Sequence, residues 1–211
     1  MNTETLLDGQ ARRELATMVE RVRESPDRVA VLFPAAARRV ARGAGPSGDP
    51  DGVLGPTLED LVRLELLRAC AGVLTPDALA REVADLYHHG DSGERRAVLR
   101  GLAVLDPASA PVARELMADA LRTNDTRLIA AAASGPATDL LDAHAWRQAV
   151  LKCLFVGVPL ADVRGVPERV DAELVRMCAD YADERERAGR PVPDDVHLVL
   201  GHSPPDEPTE A

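Results

Sequence analysis

The core of this chain must be built almost without aromatic side chains. Aromatic residues make up 2% of the sequence, whereas apolar residues of all kinds make up 45%. Alanine, valine and leucine must therefore fill most of the interior. Small aliphatic side chains let helices approach closely, and alanine and leucine favour the helical conformation. We therefore predict an all-α fold.

Local start signals place several of the helices. Thr57 and Asp60 have the spacing of a capping box, with Asp60 in the position that glutamate usually takes. Thr75 precedes Pro76, which combines a capping side chain with proline at the first helical position. Each signal predicts that a helix begins at the residue that follows the threonine.

The spacing of the predicted helices leaves two architectures open. Helix pairs are expected over residues 57–89, 91–122 and 124–156, so that a pair recurs about every 33 residues, a period within the range of helical repeats. No clear sequence repeat accompanies this spacing. The fold is therefore either an irregular, HEAT-like stack of antiparallel helices or a helical bundle.

The chain is predicted to form one domain. Its 211 residues can bury a core without help from disulfides or metal ions. We expect the helical domain to cover residues 1–202, with a flexible Gly/Pro-rich loop at residues 43–56. A disordered acidic tail is expected at residues 203–211.

Charge and cysteine usage limit the partners and the compartment. The net charge of −10 argues against nucleic-acid binding, which normally requires a basic surface. Cys70, Cys153 and Cys178 are widely spaced in apolar contexts and are predicted to be reduced, buried thiols. The N-terminal segment lacks the pattern of a signal peptide, and no apolar run is long enough to cross a membrane. We expect a cytoplasmic protein with no membrane insertion.

The helix around Trp146, the single tryptophan, contains the first candidate site. At about 100° per residue, His144, Gln148 and Lys152 form one line on the side opposite Trp146. The rest of the helix is apolar nearly all round, which is typical of a helix at the centre of a domain. Polar groups on such a helix find partners or line a cavity.

Two interpretations of this line remain open. In the first, it borders a pocket in which His144 exchanges a proton, Gln148 orients a ligand and Lys152 holds an anion. In the second, His144 is half exposed in the first helical turn, and Lys152 extends its amine over apolar surface to water.

A second candidate site lies between two predicted helices. A helix end, a cap at Thr123 or Asn124 and an acidic first turn explain Asn124 and Asp125. They explain Arg122 and Arg127 less well. Alternatively, these two arginines bind a phosphate or carboxylate, which a guanidinium group grips with two hydrogen bonds.

No motif for metal binding or nucleophilic catalysis is found. His88 and His89 are adjacent, and neighbouring helical residues project about 100° apart, so they do not share one metal ion. The HExxH and GxSxG patterns are missing. We predict no metal site and no cofactor, and enzymatic activity stays undecided. The alternating acids and arginines of residues 167–188 indicate a solvated helix face or a partner surface.

Four segments resemble the EboA family. They are residues 85–106 (DLYHHGDSGERRAVLRGLAVLD), 120–132 (ALRTNDTRLIAAA), 141–160 (LDAHAWRQAVLKCLFVGVPL) and 171–193 (DAELVRMCADYADERERAGRPVP). The last two segments are the most specific. The resemblance extends roughly over residues 10–200.

The resemblance implies a cytoplasmic helical protein encoded in a bacterial gene cluster that makes, processes or exports a secondary metabolite. Such clusters also encode a prenyltransferase, a sugar-phosphate cyclase, a metal-dependent hydrolase and an isomerase-like protein. The family supplies no catalytic motif. The resemblance thus favours an accessory protein that binds a metabolite or a pathway enzyme. The alternative is a small enzyme that acts on a cyclitol-like or prenylated intermediate with His144 and Lys152.

Overall fold

The molecule is built from helices joined by turns and, between the second and third α-helices, by a long loop. The computed structural model describes residues 3–166 and 168–201, and within them it contains ten α-helices, six short 3-10 helices and no β-strand. The α-helices are Gly9–Glu24 (α1), Val29–Arg39 (α2), Leu58–Ala71 (α3), Pro76–His89 (α4), Ser92–Gly101 (α5), Ala110–Arg122 (α6), Thr126–Ser134 (α7), Ala143–Val156 (α8), Ala172–Arg187 (α9) and Val196–Leu200 (α10). The 3-10 helices are Thr3–Leu6, Pro26–Arg28, Leu102–Val104, Pro107–Ser109, Pro136–Leu140 and Leu160–Asp162. The all-α prediction is confirmed.

The predicted start signals of α3 and α4 are confirmed. Asp60 N donates to Thr57 Oγ1 at 3.4 Å and Thr57 N donates to Asp60 Oδ2 at 3.1 Å, so both bonds of the capping box are present. At the start of α4, Thr75 Oγ1 accepts a hydrogen bond from Ala78 N at 3.4 Å, and Pro76 occupies the first helical position. These bonds satisfy backbone donors that a helix start leaves free.

Alternate helices along the chain are neighbours in space. The helix α3 packs against α5, α5 packs against α7, and α4 packs against α6, while α1 and α2 both pack on α3. Two rows of stacked helix pairs produce such contacts. The helical repeat itself stays a prediction. Among the described helices, none is both long and apolar enough to span a bilayer.

The helix α7 lies at the centre of this arrangement. It packs against α5, α6 and α8. Every residue from position 128 to position 133 is at most 2% exposed, and the last four of them are alanines. We expected the Trp146 helix, α8, to be central, and this expectation is wrong. One face of α8 is exposed and carries His144, Gln148 and Phe155.

A buried carboxylate joins α3 to α5. Asp60 is 2% exposed and accepts hydrogen bonds from Arg96 Nε at 2.8 Å and from Arg96 Nη2 at 3.1 Å. Arg100 Nε lies 3.8 Å from the same carboxylate. Both arginines also reach the preceding loop, since Arg96 Nη1 donates to the Asp51 carbonyl at 2.8 Å and Arg100 Nη2 to the Gly52 carbonyl at 2.7 Å. The network therefore fastens the loop to both helices.

The loop at residues 43–56 has no regular secondary structure but is internally bonded. The Asp49 carboxylate accepts three backbone N–H bonds from within the loop, and these bonds lower its pKa. Gly52 has φ +75°, and a Cβ there would lie 2.8 Å from Arg96 Cζ, so the close approach requires glycine. The flexibility of this loop stays a prediction. The tail predicted at residues 203–211 lies outside the described residues.

Replacing Asp60 with asparagine should lower the free energy of unfolding by about 3–5 kcal/mol, because buried guanidinium groups would lose their counter-charge. Urea denaturation measures this loss. The matched control is Asp77→Asn, which makes the same change at an exposed position in the first turn of α4. It should cost about 1 kcal/mol or less. Equal losses in the two variants would contradict a special role for Asp60.

Candidate functional site

Contacts of its first two turns anchor α8 on the rest of the molecule. Trp146 is 1% exposed, and its indole Nε1 donates to the Arg164 carbonyl at 2.9 Å. The Arg169 guanidinium lies 4.8 Å from the centre of the indole ring, a cation–π arrangement. Arg147 binds Asp171 at the start of α9 through Nε at 3.0 Å and Nη2 at 2.8 Å. These contacts fix the direction in which the opposite face of α8 points.

That opposite face borders a groove between α8 and α6. The groove has a volume of about 360 Å³. Its lining residues are Ala118, Leu121 and Arg122 of α6 and Ala145, Gln148, Ala149, Lys152 and Phe155 of α8. Alanine at three of these positions leaves room between the helices. The Phe155 ring packs against the Tyr181 ring of α9 with their centroids 4.9 Å apart.

Lys152 connects α8 to the turn between α6 and α7. Its Nζ donates to Asn124 Oδ1 at 3.1 Å, in an exposed hydrogen bond between residues 28 positions apart. The residue as a whole is half-buried and lines the groove. The geometry agrees in part with each interpretation of Lys152. The amine extends to the surface, as the second interpretation expects, but it binds a polar partner there.

Arg122 brings a second cation to the groove. It is the last residue of α6, and its side chain is 71% exposed. Its Nη2 donates to Asp119 Oδ1 at 3.3 Å, a long bond. The other Asp119 oxygen accepts from Tyr87 Oη at 2.9 Å and from Arg95 Nη2 at 2.5 Å, and the hydrogen bond from Tyr87 is the largest cause that lowers the pKa of Asp119. The bond to Asp119 uses one of the five N–H donors of the Arg122 guanidinium group.

The structure divides the predicted line of His144, Gln148 and Lys152. Gln148 and Lys152 border the groove. His144 lies exposed in the first turn of α8, and the neighbouring Ala145 takes its place in the groove lining. The position of His144 agrees with the interpretation of a solvated first-turn residue.

Asp125 and Arg127 bind each other at the start of α7. Asp125, rather than Thr123 or Asn124, caps the helix by accepting from Arg127 N at 3.0 Å. The Arg127 side chain donates to the same carboxylate through Nε at 2.9 Å and Nη2 at 2.7 Å, which lowers the pKa of Asp125. Arg127 lines a different cleft. The structure does not bring Arg122 and Arg127 together for the predicted anion clamp.

The groove combines apolar and cationic side chains. Among the described residues that line it, there is no carboxylate, histidine, hydroxyl or thiol. Its polar groups are Arg122, Lys152 and the amide of Gln148. Elsewhere in residues 3–166 and 168–201, no group of three histidine, cysteine, aspartate or glutamate side chains is placed to hold a metal ion.

The cysteines lie in the core, as the sequence predicted. Cys70, Cys153 and Cys178 are free and buried. Burial raises the pKa of Cys70 and Cys153 to about 12 and that of Cys178 to about 11. Thiolates are the nucleophilic form of cysteine, so these side chains are held in their unreactive form near neutral pH.

A second, strongly polar cleft was not predicted from the sequence. It lies between α2, α3, the start of α5 and the loop at residues 43–56. Arg63 of α3 lines it and is 4% exposed. The available signal was an arginine on the apolar face of a helix, since Leu66 and Leu67 follow Arg63 at the spacing of one helical side.

Comparison with known proteins places most of the chain in one family. A family model described as "Metabolite traffic protein EboA" matches residues 60–201, which is more than half of the chain. The match therefore starts at α3 and leaves α1 and α2 outside it. No curated protein and no solved structure matches the chain.

Thiol labelling tests the burial of the cysteines. With a disulfide reagent at pH 8, the native protein should react slowly at all three cysteines, because burial keeps them as protonated thiols. In concentrated urea the same protein should release three equivalents at once. Rapid labelling of one thiol in the native protein would contradict its buried position.

Proposed function

Because this chain belongs to the EboA family of metabolite traffic proteins, we propose that it is a non-catalytic binding protein for an amphipathic, anionic metabolite. The ligand occupies the groove between α6 and α8. The family resemblance extends the proposal to an accessory role in the biosynthesis or export of a secondary metabolite. In this role the protein holds an intermediate and passes it on without converting it.

The observation that carries the proposal is the combination of apolar and cationic side chains in the lining of the groove. Ala118, Leu121 and Ala149 supply apolar surface, while Arg122 and Lys152 supply two cations. A hydrocarbon part gains about 0.8 kcal/mol for each CH₂ group that it buries. An anionic end gains charge-assisted hydrogen bonds, which are stronger than neutral ones. The volume of about 360 Å³ falls in the range of small-molecule sites.

The hydrogen bond between Lys152 and Asn124 adds preorganisation. Binding normally orders a long, flexible side chain, which costs about 0.5–1.5 kcal/mol for each side chain that becomes immobile. Here Asn124 Oδ1 already holds the Lys152 amine at 3.1 Å, before any ligand is bound. A ligand therefore meets a cation that is largely in place.

Other roles have less support. Catalysis on a cyclitol-like or prenylated intermediate by His144 and Lys152 requires His144 beside the ligand, but His144 does not line the groove. Docking of a pathway enzyme on α9 also lacks a specific observation. On that helix Arg176 binds Glu173 at 2.8 Å and Asp180 at 2.6 Å, so its charges pair with each other along a solvated face.

Octyl phosphate is a suitable probe, because it joins a hydrocarbon chain to an anionic group, as the proposed ligand does. Lys152→Met keeps the aliphatic stem and removes the cation. It should weaken octyl phosphate binding about tenfold or more, because a hydrogen bond to a charged group contributes about 1.5–3 kcal/mol. Isothermal titration calorimetry measures the change. Phosphate buffer is used so that any site for free phosphate elsewhere is already occupied.

Two controls keep this test specific. His144→Ala changes a residue of the same helix that lies outside the groove, and it should leave the affinity unchanged. Octanol, which lacks the anion, should bind the wild type and the Lys152→Met variant equally. The Lys152→Met variant should keep its free energy of unfolding within about 1 kcal/mol, because the lost bond is exposed. Equal affinity of octyl phosphate for all three proteins would remove the groove from the proposal.

Native mass spectrometry of the protein purified from its own host identifies the natural ligand. We expect a co-purifying small molecule, whose occupancy falls in the Lys152→Met variant. A stoichiometric protein partner without a small molecule would instead favour an accessory protein that binds a pathway enzyme.

A further inference from the structure

We infer that the cleft between α2, α3, the start of α5 and the loop at residues 43–56 is a second site, which binds a small oxyanion through Arg63. The oxyanion is a phosphate or carboxylate group. The cleft has a volume of about 900 Å³. It shares no lining residue with the groove between α6 and α8, so the inference goes beyond the proposed function.

Arg63 is held rigidly at the side of this cleft. Its Nε donates to the Phe33 carbonyl at 3.1 Å, in a buried hydrogen bond. The guanidinium carbon lies 5.5 Å from the centre of the Phe33 ring. With 4% of the residue exposed, this guanidinium group is fixed before a ligand arrives.

The terminal nitrogens of Arg63 keep hydrogen-bond donors that no acceptor among the described residues takes. A guanidinium group has five N–H bonds, and the Nε bond uses one. Within the part of the chain that the structure describes, neither terminal nitrogen makes a hydrogen bond, although Nη2 forms an ion pair with Glu94 Oε1 at 3.7 Å. Burial lowers the pKa of Arg63, which reflects the cost of this desolvated charge. Two oxygens of a phosphate or carboxylate group can accept hydrogen bonds from one guanidinium group at the same time.

The nearby carboxylates serve other donors. Glu94 Oε2 accepts from Asp91 N at 3.2 Å, and Asp91 Oδ1 accepts from Glu94 N at 2.9 Å, which together form the capping box of α5. Glu59 Oε2 accepts from Gly43 N at 3.0 Å and so tethers the loop. These carboxylates accept hydrogen bonds at a helix start and in the loop, and Glu94 contacts Arg63 only through the ion pair at 3.7 Å.

The other arginines of the cleft divide into two groups. Arg96 is neutralised by Asp60, and Arg127 by Asp125. Arg38 and Arg42, by contrast, are exposed side chains of the cleft lining. A small anion therefore meets Arg63 inside the cleft and two further cations at its surface. The polar lining favours a compact, hydrophilic ligand, unlike the amphipathic ligand of the groove.

Inorganic phosphate and citrate are the probes, each titrated by calorimetry into wild-type protein in phosphate-free buffer of low ionic strength. Binding of one anion per chain is expected. Arg63→Gln keeps a polar side chain, removes the charge and should weaken binding at least tenfold. The probe that binds more tightly identifies the oxyanion as phosphate or carboxylate.

A second variant keeps the test decisive in case the buried substitution prevents folding. The double variant Arg38→Gln, Arg42→Gln changes exposed side chains and should weaken binding about two- to tenfold with the fold intact. Arg81→Gln, an exposed arginine of α4 outside the cleft, should have no effect, and neither should Lys152→Met. The loss of octyl phosphate binding in Lys152→Met thus tests the groove separately. Failure of both probes to bind the wild type at millimolar concentration would overturn the inference, as would unchanged binding in the double variant.

Discussion

Asp60 is the carboxylate around which α3 and α5 pack. The two helices bring the cationic side chains of Arg63, Arg96 and Arg100 into the interior, where a guanidinium group without a counter-charge is costly. Asp60 neutralises Arg96 directly and lies close to Arg100. Because these two arginines also bind carbonyls of the loop at residues 43–56, the same charge fixes the wall of the polar cleft. The helix α5 then supports α7, against which the two helices of the groove pack.

The helices could be predicted from the sequence because their signals are local. The threonine caps of α3 and α4 depend on residues within one turn, and the structure contains them. The centre of the fold could not be predicted in this way. Trp146 made α8 the natural choice, but the burial of a helix depends on how many neighbours surround it. The alanines of α7 carry no such signal, although their small size is what allows three helices to approach.

Local sequence patterns also predict only part of the candidate sites. Helical periodicity placed Gln148 and Lys152 on one face, and both border the groove. It could not exclude His144, because His144 lies on the same face of α8 but is exposed in its first turn. Arg122 and Arg127 are close in sequence, yet the turn into α7 directs them to different cavities. The contact between Asp60 and Arg96 spans 36 positions, which no local pattern reports.

The alanine-rich interior of α7 has a mechanical consequence. The helix lies between α5, which borders the polar cleft, and the two helices that form the groove. Alanine has no side-chain rotamers, so its positions cannot absorb a displacement by rearranging. Helices also pack on three sides of α7. A side chain larger than alanine at these positions would therefore displace a whole neighbouring helix.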